Sequence, residues 1–438
     1  MEMVARTAAV LQGLLTTVAE EVGRACRLIK RRREFTESSL VTTFVRGFLR
    51  HPQATWDQLA LVASDLGAHV TPQAVEQRVT PALRDTLKEV WLRAIRCVLQ
   101  ATRAQPLLQR FTHVLIGDST TIPLCDALAG EFPGCGGSPG GGKAAAKWQV
   151  IWDCVSGSLW KMVWEPGKNS DAKSSVLDDL PPAGSLSIFD LGYFSLDRFR
   201  AWQEAGAHWI SRGISDITVT VAGVTHDLHD WLNAQPAGPI DCGIEVGATR
   251  LRCRIVALRA PEEVAARRRQ TARDKAAKKG RQPTDRHLAT CDWTVFLTSC
   301  PDELLTWKEV VVLYRVRWQI ELLFKLWKSH NLLEAHRSED PVRQLVELYS
   351  RMTAVVIQHW LILTTFWSDT LLSLTKAARL IRDELSPLIP IARQPTELIT
   401  LLTHWRTRFQ GRARLDNRKT KPNNPQLIAN PELLTFKY

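Results

Sequence analysis

The sequence predicts an α/β core that is interrupted by a mostly β insertion and flanked by helical regions at both ends. Three observations support this fold class. Residues 1–105 contain few glycines and carry apolar residues at three- and four-residue intervals, which is typical of helices. Short apolar runs alternate with helical segments over residues 106–212. Apolar and polar residues alternate over residues 213–302, and the helical pattern returns from Thr306 onward.

The composition indicates a basic protein with a polyanionic partner. Its 438 residues include 57 Lys and Arg against 45 Asp and Glu, a formal net charge of +12. Such an excess favours nucleic acid, because basic side chains release counterions from phosphates. The nine cysteines form no C-x2-C pair, which predicts reduced thiols rather than a zinc site. The most apolar stretch, Thr353 to Trp367, is too short to span a membrane, so we expect a cytoplasmic protein.

A candidate helix-turn-helix lies in the N-terminal helical region. Residues 56–66 predict one helix that ends at Gly67, and Thr71 with Pro72 predicts the start of a second. The residues that would face a DNA groove are Gln73, Glu76, Gln77 and Arg78. Two helices of an ordinary bundle are the alternative, and the pattern alone does not separate the two.

Residues 106–212 follow the element order of a ribonuclease H-like core. The predicted strands are His113–Ile116, Trp148–Cys154, Ser158–Trp164, Leu186–Phe189 and His208–Ser211. The predicted helices are Asp171–Leu180 and Leu196–Glu204. A hairpin at Ser156-Gly157 joins the second and third strands. The resulting order is three strands, helix, strand, helix, strand.

The insertion at residues 213–302 carries strand patterns and a basic segment. Alternation at residues 217–221 and 251–256 predicts strands. Between Arg267 and Arg286, nine basic residues stand against two acidic ones. This segment is either a solvated helix or loop or a contact to the DNA backbone. The glycine-rich run 134–142 lacks the spacing of a phosphate-binding loop, so we interpret it as a hairpin loop.

The most informative segment is residues 314–328, which predict one amphipathic helix. At 100° per residue, five polar residues fall within about 80° of one another, with Trp318 beside them: Tyr314, Arg317, Glu321, Lys325 and Lys328. The opposite face is apolar and predicts packing against a core. Glu321 is the only acid between Val311 and Ser329, and a salt bridge to Arg317 or Lys325 is the structural alternative to a functional role.

Two aspartates accompany this glutamate. Asp118 and Asp190 each follow a predicted apolar strand, where one such residue alone is usually a turn or cap residue. Together with Glu321 they make three carboxylates on core elements. Such a set can hold two divalent ions about 4 Å apart beside a phosphodiester. Oxygen ligands alone favour Mg²⁺ or Mn²⁺ over zinc.

The spacing Tyr314-x2-Arg317-x3-Glu321-x6-Lys328 resembles the Y-R-E-K signature of insertion-sequence family four, a group of bacterial DDE transposases. The resemblance covers residues 118–328. It implies Asp118, Asp190 and Glu321 as the catalytic and metal-binding triad, with two Mg²⁺ or Mn²⁺ ions. The ribonuclease H-like core would then comprise residues 106–212 and 303–335. Arg317 and Lys328 would bind DNA phosphates, and the Tyr314 hydroxyl would add a further contact.

The resemblance also implies partners and a reaction route. The partners would be double-stranded DNA, as terminal inverted repeats and target, and a second copy of the chain in a dimeric synapse. Each end would be nicked, and the freed 3′-hydroxyl would form a hairpin that is reopened before strand transfer. Residues 336–438 would be a helical region for dimerisation or DNA contacts. Asp190 is followed by Leu-Gly-Tyr-Phe where some members carry Arg and Glu, so the hairpin route stays open.

Some members hold a flipped base on a tryptophan of the insertion. Trp293 lies at a comparable distance before Tyr314 and would hold the flipped base. Trp318 would occupy the space that this base leaves in the DNA stack. The alternative is that both tryptophans are buried core residues. The DNA-binding candidates are therefore Tyr314, Arg317, Trp318, Lys325, Lys328, Trp293, Gln73, Gln77 and Arg78.

Two other functions fit parts of the sequence. A domesticated DNA-binding protein would need no catalysis, but all three carboxylates are present. A ribonuclease H-like nuclease of repair or recombination would share the triad, yet it has less use for the full signature, the insertion and a helix-turn-helix. The transposase hypothesis explains the largest part of the chain.

Overall fold

The computed structural model has a mixed α/β fold with one large central sheet, as the sequence predicts. It describes residues 2–31, 33–135, 143–214, 216–236, 238–278, 280–335, 337–385 and 395–434. The described strands are β1 (Val114–Leu124), β2 (Ala144–Asp153), β3 (Leu159–Pro166), β4 (Leu186–Phe189), β5 (His208–Arg212), β6 (Thr218–Val221), β7 (Val224–Asp227), β8 (Ile240–Val246), β9 (Leu251–Arg259) and β10 (Trp293–Thr298).

Helices precede, interrupt and follow these strands. The described α-helices are α1 (Glu2–Gly13), α2 (Ala19–Ala25), α3 (Glu37–Arg50), α4 (Trp56–Asp65), α5 (Pro72–Glu76), α6 (Pro81–Ile95), α7 (Leu196–Glu204), α8 (Leu228–Asn233), α9 (Glu262–Ala277), α10 (Asp285–Ala289), α11 (Trp307–Val316), α12 (Trp318–Lys325), α13 (Pro341–Phe366), α14 (Leu374–Asp383), α15 (Pro395–Arg408) and α16 (Asn424–Ala429).

The ten described strands form a single sheet in the order β3-β2-β1-β4-β5-β10-β9-β8-β6-β7. Strand β1 runs antiparallel to β2 and parallel to β4, and β4 runs parallel to β5. Strand β10 pairs antiparallel with β5. The strands of residues 213–302 therefore extend the sheet of the core instead of building a separate one.

Local signals predict several elements of the core correctly. Helix α7 has the predicted bounds, and the Ser195 hydroxyl caps it by accepting a hydrogen bond from the Arg198 N–H. Strands β2 and β3 are joined by the predicted hairpin, in which Gly157 has a φ of +73°. A Cβ at Gly157 would lie 2.5 Å from atoms of Leu363 and Trp367, so only glycine fits this turn without a shift.

The helix predicted at residues 171–180 is wrong. The segment forms two short 3₁₀ turns, Asp171–Lys173 and Ser175–Leu177. The Glu165 carboxylate accepts hydrogen bonds from the Ser174 hydroxyl (2.9 Å) and the Ser175 N–H (3.0 Å). Serines that bond to a side chain in this way compete with helical hydrogen bonds, which explains the difference.

Helices from both ends of the chain share one hydrophobic core with strands of the central sheet. This core includes Leu11 of α1, Trp91 of α6, Trp148 of β2 and Trp405 of α15. Helix α13 is buried over most of its 26 residues and lies within this core. A second core on the other side of the sheet joins Leu115 and Phe189 to residues between Ile217 and Leu297. The N-terminal helices therefore pack with the α/β core.

The candidate helix-turn-helix has the predicted glycine after its first helix and the predicted cap before its second, but the second helix is short. Gly67 has a φ of +85°, and the Thr71 hydroxyl accepts a hydrogen bond from the Ala74 N–H at the start of α5. Helix α5 spans only five residues. Gln73 and Gln77 are exposed, whereas Arg78 is half-buried and lies over the Phe35 ring.

Four other features of the sequence can be compared with the structure. The basic segment between Arg267 and Arg286 lies largely on α9 and α10. Most of the glycine-rich run, residues 136–142, lies outside the described residues, so the loop interpretation stays a prediction. All nine cysteines are free thiols, as predicted. Within the described ranges, no helix combines the length and apolar character that a membrane span requires.

A buried histidine on α13 makes stability depend on pH. His359 is 2% exposed and hydrogen-bonds through Nε2 to the Gly157 carbonyl at 2.7 Å. Burial lowers the pKa of His359 to about 4, although the bond to Gly157 opposes the shift. Below pH 6.5 the unfolded chain therefore binds a proton that the folded chain excludes.

We expect the wild-type free energy of unfolding to fall as pH drops from 6.5 towards 4, by up to about 1.4 kcal/mol per pH unit from this residue. A His359→Gln variant lacks this contribution. Its stability deficit relative to wild type, measured by urea denaturation at pH 7.5, 6 and 5, should shrink as pH falls. If the free energies of unfolding of the two proteins change in parallel with pH, the lowered pKa of His359 is contradicted.

Candidate active site

The sheet register and a packed helix bring the three predicted acids together. Asp118 lies within β1, and the pairing of Gly117 with Phe189 places it beside Asp190, which directly follows β4. Glu321 lies on α12, which packs against β1. The predicted position of Asp190 directly after a strand is confirmed, but Asp118 lies in mid-strand and not at a strand end. The strand continues to Leu124 because β2 provides pairing partners along its full length.

A single guanidinium lies between the three carboxylates. Arg317 Nη1 donates to Asp118 Oδ2 at 3.2 Å, and Nη2 donates to Glu321 Oε1 at 2.7 Å. Its Nε lies 3.9 Å from Asp190 Oδ1. Burial lowers the pKa of Arg317, but Asp190, Tyr314 and the other two acids outweigh burial and raise it. The Arg317–Glu321 salt bridge, which the sequence offered as an alternative to a functional role for Glu321, is therefore present together with the three-acid cluster.

The electrostatics of the cluster favour a bound cation. Burial raises the pKa of Asp118 to about 6. The Ser119 N–H and Arg317 lower this pKa, whereas the charges of Asp190 and Glu321 raise it. Three neighbouring carboxylates stay ionised together only when positive charge compensates their repulsion. In this structure Arg317 supplies that charge.

The Y-R-E-K segment is helical but its α-helical pattern is interrupted at Arg317, which corrects the prediction of one continuous helix. Helix α11 ends at Val316, Arg317 forms the junction, and α12 begins at Trp318. The Arg317 N–H bonds to the Tyr314 carbonyl at 3.2 Å, a tighter turn than the α-helical pattern. Beyond Lys325 the chain continues as a π-helix, Leu326–His330. Arg317 and Glu321 nevertheless face each other, as their spacing of four residues predicts.

The other signature residues differ in accessibility. Tyr314 is 9% exposed and packs against Phe296 with ring centroids 5.1 Å apart, and burial raises its pKa to about 12. Lys325 is exposed. Lys328 donates from Nζ to the Thr121 carbonyl of β1 at 2.9 Å and is therefore tied to the strand that carries Asp118.

The two candidate tryptophans lie in contrasting surroundings. Trp318 is 54% exposed beside Glu321. Trp293 is 4% exposed, lies in the second core, and donates from Nε1 to Asn233 Oδ1 at 3.2 Å. Two exposed apolar residues that the sequence reasoning missed flank the acids: Leu191 (41% exposed) and Leu322 (42% exposed). Each leucine directly follows one of the acids in the sequence, and this position could have identified it.

A cleft of about 610 Å³ opens beside the Asp190 turn, between α9 and the sheet. Its apolar lining includes Leu191, Leu232 and Trp293. Its basic lining residues are Arg212, Arg267, Arg268 and Lys275. Within the described part of the chain, no acidic residue lines it. The sequence reasoning missed Arg212, whereas the basic count of residues 267–286 pointed to the others.

The donor set of the three acids suits a hard divalent cation. It offers carboxylate oxygens alone, which Mg²⁺ and Mn²⁺ prefer. Among the described residues, no three Asp, Glu, His or Cys side chains converge closely enough to ligate one ion, and Arg317 lies between the three acids. Asp118, Asp190 and Glu321 thus fit a cation site that a guanidinium fills in this conformation.

Two aspartates at the central sheet and a glutamate on a packed helix form the site. Comparison with known proteins identifies the protein that carries it as an enzyme of DNA transposition. Residues 109–357, more than half of the chain, match the family model of the transposase DDE domain. The chain belongs to the DDE transposases of insertion sequences, and the predicted signature family agrees with its relatives.

The relatives include bacterial insertion-sequence transposases that share about a quarter of their aligned residues with this chain. The transposase of element IS231B from Bacillus thuringiensis subsp. berliner is 27% identical over 374 residues, which cover 78% of this chain and 77% of that protein. That of IS231F from subsp. israelensis is 27% identical over 437 residues, 92% and 90% of the two chains. That of IS1151 from Clostridium perfringens is 23% identical, covering 67% and 66%.

Proposed function

We propose that this transposase binds the inverted-repeat ends of its insertion sequence, cleaves them by metal-dependent hydrolysis and joins the freed ends to target DNA. The observation that carries the proposal is the meeting of Asp118, Asp190 and Glu321 around one cation, Arg317, although they lie far apart in the sequence. A cluster of three acids on core elements suits phosphodiester chemistry.

The chain's own groups have distinct tasks in this proposal. Asp118, Asp190 and Glu321 would hold two Mg²⁺ or Mn²⁺ ions, which would activate a water or 3′-hydroxyl and stabilise the leaving oxygen. Arg317 would leave the carboxylates when these ions are bound and would pair with a DNA phosphate, the role that its signature position implies. Lys325 is exposed and suits a phosphate contact without rearrangement. Lys328 would join it by exchanging its Glu334 partner for phosphate.

The cleft beside the Asp190 turn supports a role for the insertion in holding an unpaired base. Its apolar lining would contact the base, and its arginines would contact the flanking phosphates. Trp293 is mostly buried, so it would form the wall of this cleft and not a free stacking platform. Trp318 is exposed next to Glu321 and would stack on the DNA end. This arrangement would serve a hairpin intermediate.

Further contacts would come from the helical ends of the chain. Gln73 of α5 and Gln77, which follows α5, are exposed and would contact the terminal repeats, with Arg78 and Tyr314 in supporting positions. Residues 1–105 and 336–438 would act as the DNA-binding and dimerisation regions around the core and insertion. The protein would work as a homodimer on the bacterial nucleoid, because both ends of an element must be paired before they are joined.

The test is cleavage of labelled linear DNA that carries the element's own ends, with scrambled ends as the control. With Mg²⁺ we expect nicks at the ends and a hairpin band on a denaturing gel, both absent with EDTA or with scrambled DNA. Nicks without hairpins would remove the hairpin route and keep the nuclease. Specific binding without cleavage in Mg²⁺ or Mn²⁺ would instead identify a DNA-binding protein that has lost catalysis.

A further inference from the structure

A buried hydrogen-bond chain lies behind the Asp190 turn and takes no part in the chemistry described above. Tyr193 Oη donates to Gln149 Oε1, and Gln149 Nε2 donates to Asp171 Oδ1 at 2.8 Å. Lys147 Nζ donates to the same Asp171 oxygen at 3.0 Å. Tyr193 is 2% exposed and Gln149 is fully buried. Buried polar groups that are fully satisfied specify one arrangement of the elements they join.

This chain links the surroundings of two of the acids. Gln149 of β2 pairs with Ser119 of β1, the residue after Asp118. The Tyr193 N–H bonds to the Asp190 carbonyl at 3.0 Å and closes the turn that carries this acid. The Tyr193 side chain therefore ties the Asp190 turn to the strand next to Asp118.

The Asp190 turn needs such an anchor more than the other acids do. Strand β4 ends at Phe189, so no described sheet pairing fixes Asp190 itself. Asp118, in contrast, is paired within β1, and Glu321 lies on a packed helix. Arg198 adds a second tie, because its guanidinium donates to the carbonyls of Tyr193 (2.8 Å) and Ala172 (2.7 Å).

The phenol is suited to a permanent donor role. Burial raises the pKa of Tyr193 far above its ordinary value, and the charges of Asp171 and Asp118 raise it further. The hydroxyl therefore remains a hydrogen-bond donor to Gln149 at neutral pH. The ring packs against Phe189 with centroids 5.4 Å apart, which keeps the side chain in place without the hydroxyl.

We propose that Tyr193 is a positioning residue, whose hydroxyl acts through Gln149 and Asp171 to hold Asp190 at the correct separation from Asp118 for binding divalent cations. The proposal rests on the proposed function, because it takes these two acids as metal ligands. Outer-shell partners of this kind change metal affinity because they restrict the movement of the ligands themselves.

The test is Mn²⁺ binding to the DNA-free full chain, measured by electron paramagnetic resonance, for wild type and Tyr193→Phe. We expect the variant to bind Mn²⁺ about tenfold more weakly. Binding of the DNA ends without metal should be unchanged, and cleavage should recover at saturating Mn²⁺. Asp171→Asn, a second variant at the other end of the chain, should weaken Mn²⁺ binding in the same direction.

The matched control is Tyr349→Phe. Tyr349 is also a buried tyrosine, 1% exposed, but its hydroxyl has no hydrogen-bond partner in the described structure. Unchanged Mn²⁺ affinity in Tyr193→Phe, or an equal loss in Tyr349→Phe, would overturn the positioning role. Glu321→Gln separates the two proposals: if that variant keeps wild-type Mn²⁺ affinity and cleavage, the assignment of the acids fails first.

Discussion

Glu321→Gln is expected to lose metal-dependent cleavage of the element's ends by on the order of 10³-fold or more. The substitution keeps the shape of the side chain but removes the charge that Glu321 presents to Arg317, 2.7 Å away. A neutral amide is a weak ligand for Mg²⁺, so two acids alone would have to compensate the charge of the ions. Single-turnover cleavage at saturating Mg²⁺ measures the effect.

Binding of the ends should survive this substitution, because Glu321 adds negative charge where DNA approaches. A gel-shift assay without metal is therefore expected to show equal or tighter binding for Glu321→Gln. Glu303→Gln, at an exposed glutamate that precedes α11, is the matched control and should cleave like wild type. Residual cleavage within tenfold of wild type would remove Glu321 from the catalytic triad.

Trp91→Ala is expected to produce the largest loss of stability, about 3–5 kcal/mol. Trp91 of α6 is fully buried and lies 6.0 Å, ring centroid to ring centroid, from Trp148, Trp164 and Tyr349. Its removal would leave a cavity where the N-terminal helices, the sheet and α13 meet. Urea denaturation followed by far-UV circular dichroism gives the change in free energy of unfolding.

The control for this prediction is Leu61→Ala on α4, where the leucine is 68% exposed. Its free energy of unfolding should stay within about 0.5 kcal/mol of wild type. A loss below about 1 kcal/mol for Trp91→Ala would mean that the N-terminal helices form a core of their own. Separate unfolding transitions for the helical end and the sheet would then be expected.

The sequence by itself determined the fold class, the family and most local elements. Helix α7 has its predicted bounds because Ser195 caps it and an amphipathic pattern continues to Glu204. The hairpin at Gly157 follows from a backbone conformation that favours glycine. Glu321 was found through the signature spacing around it, and Asp118 and Asp190 were found because each follows an apolar run. All of these signals act within a few residues.

The tertiary structure alone decided how the acids are held and what surrounds them. Arg317 contacts Glu321 as their helical spacing predicts, but only the fold places Asp118 and Asp190 within reach of the same guanidinium. Hydrogen bonds to Glu165 replaced the helix predicted after Asp171. The tie between Tyr193 and Gln149 joins residues from different strands and turns. Such contacts depend on long-range packing and burial, and no local pattern in the sequence encodes them.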